Sequence, residues 1–168
     1  MRWFTVSLAF LISVTLLWAH GNPRAVAEVN LDGKKVEIEY GRPHLNGRDL
    51  LSAVDNGFVW RMGADAATSL TTETDLVAQD SVIPGGSYSL FARKKGERQW
   101  ELIVNSANGI HGTQYDESKN VAVIPLEFEE TEAPVELFTI ELKPAEAGVQ
   151  FQMAWGSARL TTKLQARS

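Results

Sequence analysis

Arginine, histidine, carboxylate and phenol side chains gather in three short polar segments of this chain. The first, Tyr40-Gly41-Arg42-Pro43-His44-Leu45-Asn46-Gly47-Arg48, is stiffened by proline and carries two guanidinium groups. The second runs from Val59 to Thr68; strand alternation sets its Arg61 opposite Trp60 and Met62, and it adds Asp65. The third, from His111 to Lys119, places Tyr115 beside Asp116 and Glu117. A guanidinium is a planar fork of donors that grips a carboxylate or phosphate by two bonds at once. A carboxylate beside an imidazole can instead move protons. Arg42, His44, Arg48, Arg61, Asp65, Tyr115 and Asp116 therefore form the candidate ligand site, and they are expected to meet on one face.

Two functional readings use these residues differently. In a binding module, the arginines hold a small anionic or sugar-acid ligand while Tyr40, Tyr88, Tyr115 or a tryptophan supplies a stacking face. In a small hydrolase or lyase, Asp65 or Asp116 is the general base, His44 or His111 the acid, and an arginine stabilises developing negative charge. The second needs a carboxylate and an imidazole around one cleft; the first needs only arginines and an exposed ring. A structural reading competes with both: Arg42, Arg48 and Arg61 would pair with Asp65, Asp116 and Glu117 and lock loops onto the fold. Trp60, Trp100 and Trp155 fall on the apolar side of alternating segments and are expected in the core.

Composition removes other chemistry. The chain has 168 residues, 16 Lys+Arg against 21 Asp+Glu, a formal charge of −5 and no cysteine. Thiol nucleophiles, disulfide staples, iron–sulfur clusters and cysteine-ligated zinc are thereby excluded. The acidic balance argues against nucleic acid as a partner. No Gly-x-Ser-x-Gly, His-Glu-x-x-His, phosphate-loop or calcium-loop pattern occurs. His44 and His111 lie far apart in sequence, so neither a metal site nor a cofactor is implied.

The start of the chain reads as an export signal. Met1-Arg2 is a short positive region, Trp3 to Trp18 carries no charge, and Ala25-Val26-Ala27 is the small-x-small pattern that signal peptidase reads. A signal peptide over residues 1–27 and a mature domain over 28–168 are expected, exported to the periplasm or the outside of the cell. A retained N-terminal anchor is the alternative, and no later stretch is apolar enough to span a membrane.

The elements that must position the candidate residues are strands. Apolar and polar residues alternate through Val36-Ile38-Tyr40, Phe58-Trp60-Met62, Tyr88-Leu90, Trp100-Leu102-Val104, Phe138-Ile140-Leu142 and Val149-Phe151-Met153-Trp155. Asp32-Gly33, Asn46-Gly47, Asn56-Gly57, Pro84-Gly85-Gly86, Asn108-Gly109 and Ala147-Gly148 punctuate them as turns. Only Arg48 to Asp55 suits a helical turn. The pattern predicts an all-β, single-domain antiparallel β-sandwich, jelly-roll-like or a flattened barrel, of about eight to ten strands with little helix. Arg93 to Arg98 reads as a solvated hairpin tip. Glu127, Glu129, Glu130 and Glu132 around Leu126 and Phe128 read as charge protecting a strand edge, and a monomer is expected.

Several motifs recur in a known order. Tyr40-Gly41-Arg42-Pro43, Gly47-Arg48, Trp60-Arg61-x-Gly63-Ala64 with Ala67-Thr68, Pro84-x-Gly86-x-Tyr88-Ser89-Leu90-Phe91, Trp100, Asn105, Tyr115-Asp116 and Trp155 follow one another. In this the chain resembles the bacterial family catalogued as domain of unknown function 2911, over nearly the whole expected mature chain. The resemblance implies an exported β-rich domain and carries no activity with it. The family pattern typically has Asn and an acidic residue where this chain has Asp65 and Ala66, and often Asp where this chain has Asn120.

Overall fold

The computed structural model describes residues 22–167. The expected signal segment lies outside the described residues except for Asn22 to Ala27. Ten strands and one short helix follow in order: β1 Arg24–Leu31, β2 Lys34–Gly41, α1 Leu50–Ala53, β3 Val59–Trp60, β4 Thr68–Thr72, β5 Leu76–Ala78, β6 Ser81–Ile83, β7 Gly86–Gly96, β8 Gln99–Asn105, β9 Asn120–Ala145 and β10 Gly148–Ala166. All pairings are antiparallel, in the order β1-β2-β4-β7-β8-β9-β10-β5-β6, with β3 added to β7. The all-β, antiparallel expectation with little helix matches this architecture. The sheet does not close into a barrel.

Alternation explains how the sheet packs. Val36, Ile38 and Tyr40 of β2, Leu90 and Ala92 of β7, Leu102 and Val104 of β8, and Val149, Phe151 and Met153 of β10 point into one hydrophobic cluster. The sheet can fill one core from both ends because β9 is long and changes partner along its length. Its first part, up to Leu126, pairs with β8, and from Glu127 onward it pairs with β10. The β1–β2 end then folds across β9: the Tyr40 hydroxyl donates to the Ile140 carbonyl at 3.1 Å.

This register places the acidic run. Glu127, Glu129 and Glu130 lie opposite Thr161, Arg159 and Ala158 of β10, while the pairing with β8 on the other side of β9 stops at Leu126. Farther along, β9 carries extra residues, Thr131 to Pro134, opposite Ser157, and this bulge accommodates a proline that has no N–H to give. Ser157 on the other side of the bulge donates to Asp49 at 2.8 Å. Asp49 in turn caps α1, accepting from the Ser52 N–H.

The N-terminal boundary also has structural content. Arg24 to Ala27 pair with Gly41 to Ile38, Arg24 meets Glu39 at 2.7 Å, and the Arg42 N–H donates to the Pro23 carbonyl at 2.7 Å. A cut after Ala27 would divide β1 in half. Among the described residues no helix is long and apolar enough to cross a membrane.

Candidate functional site

The three polar segments are loops tied down by backbone bonds. The first is held along β9: Leu45 N–H donates to the Glu136 carbonyl at 2.7 Å, Phe138 N–H donates to the Pro43 carbonyl at 3.1 Å, and His44 bridges to Leu137. The second and third are zipped to each other. Ala67 N–H donates to the Ile110 carbonyl and Gly112 N–H to the Asp65 carbonyl, both at 3.0 Å, with a bridge between Ala66 and His111. Bonded backbone on both sides makes these loops a defined wall.

Local geometry explains the Gly63-Ala64 signature. Met62, Gly63 and Asp65 all have positive φ, at 51°, 142° and 64°. A Cβ on Gly63 would stand 2.8 Å from the Gly41 carbonyl oxygen, and one on Gly41 would stand 2.5 Å from the Ala64 carbonyl oxygen, so the two chains cross where only glycine fits. The left-handed Met62 is a strained choice for a long side chain; it is fully buried, and its carbonyl accepts from the Thr68 hydroxyl.

Together the loops enclose a cavity of about 830 Å³. His44, Asn46 and Arg48 come from the first loop, Trp60, Arg61, Gly63 and Ala64 from the second, and Gly112, Thr113 and Tyr115 from the third. Trp155 of β10, Phe91 of β7, and Leu50 and Phe58 at its rim complete the apolar part. The floor is aromatic: Trp60 and Trp155 stack at 5.5 Å and 5°, and Phe138 meets both edge-on. Both indoles are buried, as expected, yet they also form part of the cavity wall. The Trp155 indole N–H has no hydrogen-bond partner among the described residues.

The charge of the wall is one-sided. Arg48, Arg61 and His44 line it, and among the described residues no aspartate or glutamate does. Arg61 makes no ion pair or hydrogen bond with any described residue, and Arg48 donates only to its neighbouring Leu45 carbonyl, at 3.3 Å. His44 Nδ1 lies 3.7 Å from Glu136. None of the loop-locking pairs of Arg42, Arg48 or Arg61 with Asp65, Asp116 or Glu117 forms among the described residues. Glu117 is instead paired with Arg93 at 3.0 Å.

Of the seven candidate residues, His44, Arg48, Arg61 and Tyr115 line this cavity and three do not. Arg42 turns along β9, donating to the Phe138 carbonyl at 3.0 Å and the Thr139 hydroxyl at 2.8 Å. Asp65 faces a separate cavity of about 370 Å³ beside Ser69 and Asn108. Asp116 caps a 3-10 turn, Glu117–Lys119, accepting from the Ser118 N–H and hydroxyl; those bonds, the hydroxyl's foremost, hold its carboxyl below the usual value. Tyr115 packs its ring on Phe91 at 4.9 Å, while its hydroxyl accepts from Asn120. Sequence reading missed Leu50 and Phe58, whose signal was a large apolar residue opening α1 and another in the loop that follows it. It also missed Gly112, which lies against the stem of Arg61.

Among the described residues no group of three or more histidine, aspartate or glutamate side chains is placed to hold a metal ion. No curated protein and no solved structure matches the chain. The family described as "Protein of unknown function (DUF2911)" matches residues 22–164, from β1 to all but the last two residues of β10 and including every loop of the cavity, and the chain belongs to that family.

Proposed function

We propose that this chain is an exported, monomeric, non-catalytic binding protein for a small organic anion, held in the cavity between the three loops. The observation that carries the reading is the pair of uncompensated guanidinium groups, Arg48 and Arg61, on a wall without a carboxylate, in a protein of net charge −5. An arginine that serves only to fasten a loop reaches a partner on another element, as Arg93 does at Glu101 and Arg42 at Phe138 and Thr139, whereas Arg61 has no side-chain partner among the described residues and Arg48 has only the carbonyl three residues before it in its own loop. A guanidinium that faces a cavity without a counter-charge gains charge-assisted, bidentate partners when an anion enters. The acid–base reading places Asp65 or Asp116 with a histidine in one cleft; neither lines this cavity, and the carboxylate that does stand beside His44, Glu136 at 3.7 Å, is not among the lining residues either.

The test is a thermal-shift screen of the folded protein against organic acids, phosphates, neutral sugars and divalent metals, since a ligand that binds only the native state raises its melting temperature. Stabilisation by organic anions, lost in Arg61→Gln, supports the reading. Stabilisation by neutral sugars or metals alone contradicts it.

A further inference from the structure

The cavity has an apolar side that an anion alone leaves uncovered, and we infer that its ligand is an amphipathic carboxylate: an acid bearing a hydrocarbon chain or ring. This rests on the anion-binding reading of the same cavity. Phe58 and Leu50 are 42% and 37% exposed, among the few large apolar side chains left in solvent in the described residues, and both stand on the wall that carries Arg48 and Arg61.

Leu50 is held where it is. It opens α1, whose start is capped by Asp49, and Asp49 is itself fastened to Ser157 of β10. The other end of α1 is held by Lys94, which donates to the carbonyls of Leu51, Ser52 and Val54 at 3.4, 3.1 and 2.7 Å. The next residue, Leu51, is buried and anchors the turn in the core. With the turn fastened at both ends, Leu50 cannot fold inward, so its apolar surface is removed from water only by something that occupies the cavity mouth.

Size and chemistry choose the occupant. About 830 Å³ far exceeds what acetate or inorganic phosphate fills and falls within the range of organic-ligand sites. A sugar acid would turn hydroxyls toward Phe58 and Leu50, which neither donate nor accept, and would lose water without replacement. A hydrocarbon body placed there covers both side chains while its carboxylate takes the guanidinium fork.

Calorimetric titration of the protein with butanoate, hexanoate, octanoate, galacturonate and octanamide tests this. Affinity is expected to rise about two- to fourfold per added methylene from butanoate to octanoate. Phe58→Ala, at an exposed position, should flatten that slope while leaving butanoate affinity nearly unchanged. Galacturonate binding as tightly as octanoate, with no chain-length slope, overturns the amphipathic ligand and leaves the anion reading standing. Octanamide binding as tightly as octanoate, or no acid binding at all, overturns both.

Discussion

Gly112 lies so close to Arg61 that a Cβ there would stand 2.7 Å from the arginine Cδ and 3.0 Å from its Cβ. The Gly112 backbone cannot retreat freely, because its N–H is bonded to the Asp65 carbonyl. The missing side chain therefore sets the path of the guanidinium along the cavity wall. Gly112→Ala is expected to displace Arg61 and weaken anion binding at least tenfold, with a melting temperature within a few degrees of wild type. Unchanged affinity in a folded Gly112→Ala protein would show that Arg61 is not positioned by this contact.

The aromatic floor is structural as well as ligand-facing. Trp155 is 3% exposed and packs on Trp60 and Phe138. Trp155→Ala should lower unfolding free energy by about 3–5 kcal/mol in urea denaturation. Phe58→Ala should change it by less than about 1 kcal/mol, since Phe58 is largely in solvent already.

Lys94 shows how far pattern alone carries. In the sequence it belongs to a basic run that reads as a solvated tip, yet β7 continues through Gly96 and buries Lys94 to 6% exposure. Its ammonium satisfies three carbonyls around the end of α1. Lys94→Met keeps the stem and removes the donors, and a loss of about 1.5–3 kcal/mol is expected in the same denaturation measurement. A neutral substitution would contradict the clamp.

Period-2 alternation made β2, β8 and the paired parts of β9 and β10 legible, because one-sided burial writes itself as a two-residue repeat. It could not show that β9 changes partner after Leu126, since that depends on which strand lies opposite. Phe91 follows Leu90 in β7 and so takes the face opposite the Tyr88-Leu90 repeat, yet it is buried against Tyr115 because the loop carrying the third polar segment covers that face. The Phe58-Trp60-Met62 repeat was only partly a strand: β3 is Val59–Trp60, and Met62 already turns left-handed. The three chemical segments were visible as clusters of polar residues. Which of their side chains faced the cavity was not, because Arg42 and Arg48 differ only in whether a β9 carbonyl lies within reach.

The Asp116 cap carries a pH signature. A carboxyl held below its usual value adds stability above the ordinary carboxylate range and loses it as pH falls through the lowered value. Asp116→Asn should melt below wild type at neutral pH, with the difference shrinking under about pH 4. A difference constant from pH 7 to pH 2.5 would assign it to something other than the charge.

If the chain is exported as proposed, the strand pairing of Arg24 to Ala27 predicts where processing falls. The intact mass of the mature protein should then retain these residues and Pro23, whose carbonyl accepts from the Arg42 N–H. A mature chain beginning at Glu28 would contradict the role of Arg24 to Ala27 in β1.

The most direct test of the central claim reads the cavity from inside. Trp60 and Trp155 line it beside Arg61, so a ligand seated there changes indole emission. Titration with octanoate should give a saturable change in tryptophan fluorescence, and the double variant Arg48→Gln/Arg61→Gln should weaken it by more than tenfold while keeping its fold. An identical titration in that folded variant, or no saturable change with any organic acid in the wild type, would contradict the assignment of this cavity as an anion site.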